Sequence, residues 1–157
     1  MNLVKRVVLD TSTLVSAALR VDSIPSQVLL KVLRECEMCA SEATLQELAT
    51  VMLRPKFDRY LARDEREKFV ELIRTYSVVW KVRDEVQDCR DPQDNKFLAL
   101  ALVCEADVLV SSDDDLLALN PYRDIPVLTP KTFFVTRHAD KFPDAGEGLL
   151  PLEDAKL

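Results

Sequence analysis

One stretch of this 157-residue chain, Asp91 to Leu117, leaves few choices of fold. It opens with Asp-Pro-Gln-Asp-Asn-Lys, where Asp91 can cap a helix and Pro92 stands at the first helical position, the place where a missing N–H costs nothing. The apolar block that follows, Phe97 to Cys104, is rich in Leu and Ala, so after a helix-start signal it predicts a buried helix rather than a buried strand. Counting back three and four from Phe97, Leu98 and Ala101 puts Asp94 in the first turn, on the core-facing stripe. A carboxylate aimed inward needs an explanation. Val108 to Val110 then predicts a strand that ends in Ser111-Ser112 and three consecutive aspartates, Asp113 to Asp115. Helix and strand therefore carry acids to the same end of one helix–strand pair.

The rest of the chain repeats this layout. Val7-Val8-Leu9 is apolar on both faces, as a central parallel strand would be, and ends at Asp10, after which Thr11, Ser12 and Thr13 can start a helix through Leu14, Val15 and Ala18. Ser23-Ile-Pro25 starts a second helix, Met38 to Ala40 returns as a strand, and Ser41 caps a helix carrying Leu45, Leu48, Ala49 and Met52. At about 100° per residue, Glu47 in that helix points away from the apolar centre and toward solvent, with Glu42 on the border of the stripe as its rival. Residues 54–68 hold six Lys or Arg and four Asp or Glu, a net of +2 that predicts a solvated helix face rather than a nucleic-acid patch. Asp64 and Glu67 have capping-box spacing for a helix through Phe69, Leu72, Ile73 and Tyr76; Val78 to Val82 predicts a strand with Trp80 in the core. A short helix at Leu116 to Leu119, a fifth strand at Ile125 to Leu128 and a helix start at Thr129-Pro130 complete the pattern. The expected class is α/β, a five-stranded parallel sheet covered by helices on both faces, with one domain over residues 1–137 and a loosely ordered tail over 138–157.

Composition narrows the chemistry. No window is apolar for long enough to span a bilayer, and the N-terminus reaches Asp10 before a signal-peptide core can form, so no membrane association and a cytoplasmic location are expected. Both glycines, Gly146 and Gly148, lie near the end, which removes the Gly-rich loops that cradle nucleotide phosphates. The single histidine, His138, makes a Ser–His or Cys–His nucleophile a poor reading. Cys36-Glu-Met-Cys39 has the spacing of half a zinc site but lacks two further ligands, so reduced cysteines with Cys39 buried in a strand are expected. A net charge of −6 argues against tight holding of nucleic acid, though not against a nuclease that engages its substrate locally.

What remains abundant is carboxylate. Taken singly, Asp10 can cap a helix, Asp91 and Asp94 can complement a helix dipole, and Asp113 to Asp115 can decorate a loop. In a parallel sheet, however, Asp10, Asp94 and Asp113 all arrive at the carboxyl ends of the strands, where such sheets gather ligands. Two carboxylates about 4 Å apart repel by roughly 4 kcal/mol at an effective dielectric near 20, so a cluster of them implies a bound cation. Oxygen-only ligands favour Mg²⁺ or Mn²⁺ over zinc, and such ions at a sheet edge suit phosphoryl chemistry.

Val-Leu-Asp10-Thr-Ser, Ser41-Glu-Ala-Thr-Leu-Gln-Glu47-Leu, Asp91-Pro-Gln-Asp94-Asn-Lys-Phe-Leu-Ala-Leu-Ala, Val-Ser-Ser-Asp113-Asp-Asp-Leu-Leu and Leu-Thr-Pro-Lys-Thr-Phe, in this order, resemble the PIN-domain nucleases over about residues 4–135. They look most like the bacterial branch of toxin components of toxin–antitoxin pairs. The resemblance implies a doubly wound sheet and a metal-dependent ribonuclease acting on single-stranded RNA. In it Asp10, Glu47, Asp94 and Asp113 surround one or two Mg²⁺ or Mn²⁺ ions, and Ser12, Asp91 and Asp115 are accessory. It also implies a homodimer and a small antitoxin partner. Two departures stand out: Ser12 replaces the family's usual Asn, and Ser111-Ser112 its usual Thr-Gly. Alternatives are a phosphatase of the haloacid-dehalogenase type, which needs a second aspartate where this chain has Ser12, and an inactive domain that only binds RNA or a partner.

Overall fold

The computed structural model describes residues 4–136, so the expected tail over 138–157 lies outside the described residues. Short apolar runs form five strands, β1 (Arg6–Leu9), β2 (Glu37–Ala40), β3 (Ser77–Val79), β4 (Val108–Val110) and β5 (Val127–Leu128). All pair in parallel, in the order β3-β2-β1-β4-β5. The connections carry α1 (Thr11–Leu19), α2 (Ile24–Glu35), α3 (Glu42–Met52), α4 (Arg63–Tyr76), α5 (Asn95–Val103), α6 (Asp114–Leu117) and α7 (Pro130–Val135).

Strand alternation divides the core in two. Val7 and Leu9 of β1, Met38 and Ala40 of β2, and Val108 and Val110 of β4 pack with residues of α1 to α4 and Phe133 of α7. Their neighbours Val8, Cys39 and Leu109 face the other way, onto Phe97, Leu98 and Ala101 of α5 and Leu116 of α6. A sheet apolar on both faces must be covered on both, which gives the expected three-layer, doubly wound arrangement. Each fully buried Leu, Ile or Phe contributes about 1.5–3 kcal/mol relative to exposure, and the central strands bury almost all of theirs. Ser23, Ser41 and Thr129 cap α2, α3 and α7 with their hydroxyls, as their positions in the sequence predict.

The order of strands also fixes where a ligand can bind. From β1 the chain winds outward through β2 to β3, then returns across the sheet to β4 on the other side of β1. The crevice between the carboxyl ends of β1 and β4 is thus the topological switch point. Asp10 follows β1 directly and Asp113 stands three residues beyond β4.

Several expectations shift. The third strand stops at Val79 rather than Val82 because its partner β2 ends at Ala40, where Ser41 turns the chain into α3; Trp80 makes one last bond to the Ala40 carbonyl and is half-buried, not core. The fifth strand is shorter because Ile125 pairs with Tyr122 in a separate bridge. Asp64 and Glu67 do not form a capping box: α4 starts at Arg63, Asp64 accepts from the Glu65 N–H, and Glu67 meets Arg63 at 3.3 Å. In the segment read as a solvated face, Arg66 is fully buried. Its guanidinium donates to the carbonyls of Met52 (2.7 Å), Leu61 (2.9 Å) and Arg54 (3.2 Å) and to Asp58, tying α4 to the end of α3. No helix among the described residues is long and apolar enough to cross a membrane.

Candidate active site

Asp10 is placed by β1 and held by α1, whose N-terminus it caps. Its Oδ1 accepts from the Thr13 N–H at 2.9 Å and its Oδ2 from the Ser111 hydroxyl at 2.5 Å, while Ser12 Oγ donates from 3.2 Å. Only 4% of the residue is exposed, and burial pushes its carboxyl above the ordinary range against the pull of these hydrogen bonds. Ser111 also accepts the Asp113 N–H at 2.9 Å, so one buried hydroxyl couples the two acids. Asp113 in turn caps α6 by accepting the Asp115 N–H at 2.8 Å.

Asp94 comes from the opposite side of the crevice. The predicted helix start is a 3₁₀ turn over Pro92–Asp94, capped by Asp91 through the Gln93 N–H at 3.0 Å, and α5 begins only at Asn95. This tight turn keeps Asp94 half-buried, with Oδ2 enclosed and lacking a hydrogen-bond partner. Its carboxyl is pushed up to about 7, first by burial, then by the charge and close approach of Asp113, then by Asp91 and Asp10.

Asp91 and Asp115, expected as accessory acids, stand beside Asp94. Asp91, Asp94 and Asp115 each offer an oxygen within 4.8 Å of the others. Two groupings therefore meet at Asp94: Asp10, Asp113 and their shared Ser111 on one side, Asp91 and Asp115 on the other.

Glu47 does not point to solvent. It is half-buried, one carboxylate oxygen accepting from Thr11 Oγ1 and the other from Lys96 Nζ. It thus touches the residue after Asp10 and the residue two past Asp94 rather than the acids themselves. The helical wheel misplaces it because the edge of α3 that carries Glu47 lies beside the first residues of α1 and α5, where Thr11 and Lys96 reach its carboxylate. Its rival Glu42 is exposed and paired with Arg74 at 3.1 Å.

These residues fit a hard divalent cation. The donors are all oxygens, the neighbouring aspartates raise the proton affinity of Asp94, and its buried Oδ2 lacks a partner. A zinc site at Cys36 and Cys39 does not fit: Cys39 is buried in β2, and burial followed by the charge of Glu35 pushes the Cys36 thiol up to about 11. Lys96 is a neighbour of the candidate site that the sequence does not single out, and Ser111, noted there only as a departure from the family's Thr-Gly, turns out to bond both Asp10 and the Asp113 N–H.

A sequence model of the PIN domain matches residues 6–115. The uncharacterized protein MJ1680 of Methanocaldococcus jannaschii is 31% identical over 138 residues, which cover 82% of this chain and 88% of that protein. The fold is similar to a chain of VapBC2 from Rickettsia felis, solved bound to a DNA fragment from the promoter, with a TM-score of 0.55 at 10% identity over 79% of this chain and 98% of that one. It is also similar to PAE2754 from Pyrobaculum aerophilum, with a TM-score of 0.55 at 17% identity over 83% and 88% of the two chains. With its strand order, its crevice of aspartates and its match over most of the described residues, the chain belongs to the PIN-domain nuclease family.

Proposed function

We propose that the protein is a metal-dependent endoribonuclease that hydrolyses phosphodiester bonds of single-stranded RNA, and that it is the toxin of a toxin–antitoxin pair. The observation that carries the chemistry is Asp94: a half-buried carboxylate with an orphaned oxygen, crowded by Asp113, Asp91 and Asp10. Such an arrangement is unfavourable by itself and favourable around a cation. Asp10, Asp94 and Asp113 would hold Mg²⁺ or Mn²⁺, one ion or two, with Asp91 and Asp115 beside Asp94 and Glu47 at the margin. When bound, the ion supplies activation of water and neutralisation of charge developing on the phosphate.

The chain's own residues do the positioning. Thr13, Ser12 and Ser111 spend their hydrogen bonds on Asp10, fixing its orientation without removing its charge. Ser111 sets the distance from Asp10 to Asp113, and the 3₁₀ turn aims Asp94 at both. Ser12, where the family usually has Asn, still donates to Asp10, which supports a working rather than a relic site. A serine at position 12 also supplies no second aspartate for phosphatase chemistry. The toxin role, the small antitoxin and a homodimer rest on the family resemblance together with the fold shared with a VapBC2 chain.

The test is cleavage of a labelled single-stranded RNA with Mn²⁺, with chelator, and with Asp10→Asn, beside a phosphomonoester. Metal-dependent cutting of the RNA alone, lost in the variant, is expected. Hydrolysis of the phosphomonoester alone, or no reaction with either, would refute this reading.

A further inference from the structure

Beside the carboxylates, the first turns of α3 and α5 and the segment 80–91 enclose a groove of about 1,040 Å³. The segment has no regular structure and is held at its two ends. Trp80 N–H bonds to the Ala40 carbonyl at 2.8 Å, Asp88 accepts from the Tyr122 hydroxyl at 2.5 Å and from Arg123 at 2.8 Å, and Cys89 N–H bonds to Asn95 Oδ1 at 2.8 Å. These bonds anchor both ends of the groove's wall.

Its lining is suited to a polyanion more than its net charge suggests. Lys81 and Arg83 are exposed and hold no ion pair among the described residues. Of the two carboxylates in the wall, Glu42 is already neutralised by Arg74 at 3.1 Å. The amides of Gln87, Gln93 and Asn95 and the half-buried indole of Trp80 add donors and a flat apolar surface. Single-stranded nucleic acid is held by this mixture of spaced cations, amides and an aromatic ring, without need of a strongly basic surface.

Lys96 joins the groove to the site. Its ammonium lies on Glu47 and donates to the Gln93 carbonyl at 2.8 Å, its side chain is 22% exposed, and it stands two residues past Asp94. A lysine is a point charge on a flexible stem, able to exchange a carboxylate for a phosphate with little movement.

We propose that this groove is the track of the RNA strand flanking the scissile phosphodiester, with Lys96 gripping a phosphate at its mouth and Lys81 and Arg83 further along. The proposal rests on the ribonuclease reading above. It is tested by the salt dependence of binding to a labelled single-stranded RNA in the presence of chelator, which prevents cutting. Every phosphate that a variant no longer neutralises should flatten the slope of log K against log salt by about 0.7. Lys96→Met should do so once, Lys96→Arg should keep the wild-type slope, and Lys81→Ser with Arg83→Ser should flatten it further, all three with unchanged melting curves. Mn²⁺ titration of Lys96→Met should show affinity equal to wild type or tighter. A wild type that binds and cuts RNA while either set of variants leaves the slope unchanged overturns the groove as the track. Weaker Mn²⁺ binding in Lys96→Met with an unchanged slope would make Lys96 a holder of Glu47 alone, and also overturns it. A wild type that neither binds nor cuts RNA sinks the ribonuclease reading itself.

Discussion

Asp94→Asn separates a helix-start acid from a metal-site acid, because the two roles forecast opposite changes in stability. As a first-turn carboxylate beside α5, Asp94 would contribute about 0.3–1 kcal/mol through the helix dipole, and the neutral amide would weaken the protein at every pH above the ordinary carboxylate range. As a member of the crowded crevice it does the reverse. Its carboxyl rises from 3.8 to about 7, so the folded protein binds a proton that the unfolded chain has already released. The folded state is therefore favoured at low pH, and this advantage is lost as pH rises through 7. At about 1.36 kcal/mol per pH unit the full rise corresponds to roughly 4 kcal/mol. Asp94 is only half-buried, and solvent screening reduces that to about 1–2 kcal/mol.

The expected result follows from thermal melts with chelator. At pH 8, Asp94→Asn should melt above wild type, by about 2–4 °C per kcal/mol for a chain of this size. At pH 4, where wild type is protonated, the two curves should coincide. With Mn²⁺ at a hundredfold excess over its Kd, wild type should gain about 2.7 kcal/mol and the variant much less, reversing the order. RNA cleavage by the variant should fall to background. A variant less stable by one constant amount at both pH values, with and without Mn²⁺, and still active, would refute the crowded-site reasoning.

Four further outcomes are expected. Chelator should leave the far-ultraviolet circular dichroism spectrum unchanged, since the two apolar cores form without metal; a collapse of the spectrum would make the site structural. Cys36→Ser with Cys39→Ser should leave bound metal and cleavage unchanged, with at most a packing loss at Cys39; stoichiometric zinc that disappears in the double variant would contradict this. Ser111→Ala should slow single-turnover cleavage by about tenfold or more, as loss of a residue that orients a metal ligand does, while Ser111→Thr keeps the hydroxyl and most of the rate; equal rates for Ala and wild type would refute it. Arg66→Met should lower stability in urea by about 2–4 kcal/mol, because the buried Met52 carbonyl and the part-buried carbonyls of Leu61 and Arg54 lose a charged donor; a change below about 0.5 kcal/mol would show those carbonyls find other partners.

The parts of the fold legible in the sequence are those where local chemistry and tertiary packing ask for the same residue. Ser23, Ser41 and Thr129 are good caps in any context, and Val7 to Leu9 or Val108 to Val110 suit only strands buried on both faces. Asp10 and Asp113 are readable as candidate site residues for the same reason: Asp10 directly follows β1 and Asp113 directly precedes α6, so the position of each follows from its element's. Misreadings fall where a distant element decides. Trp80 leaves the sheet because β2 has already turned into a helix, and Arg66 is buried because the carbonyls at the end of α3 lie above it.

Glu47 shows why this limit matters for function. A helical wheel assumes one core and one solvent side, and on that assumption Glu47 is a surface acid. Here the edge of α3 beyond its apolar stripe meets the first residues of α1 and α5, so Glu47 bonds to Thr11 and Lys96 instead of pointing to solvent. What holds Glu47 there is Lys96, 49 residues away, and neither residue signals the other by spacing. The aspartates report the sheet edge because the backbone delivers them to it, whereas the cation beside them is delivered by a helix–helix contact that only the folded chain contains. In such a site the groups that would bind metal are legible in the sequence before those that would bind substrate. Lys96 belongs to the second kind.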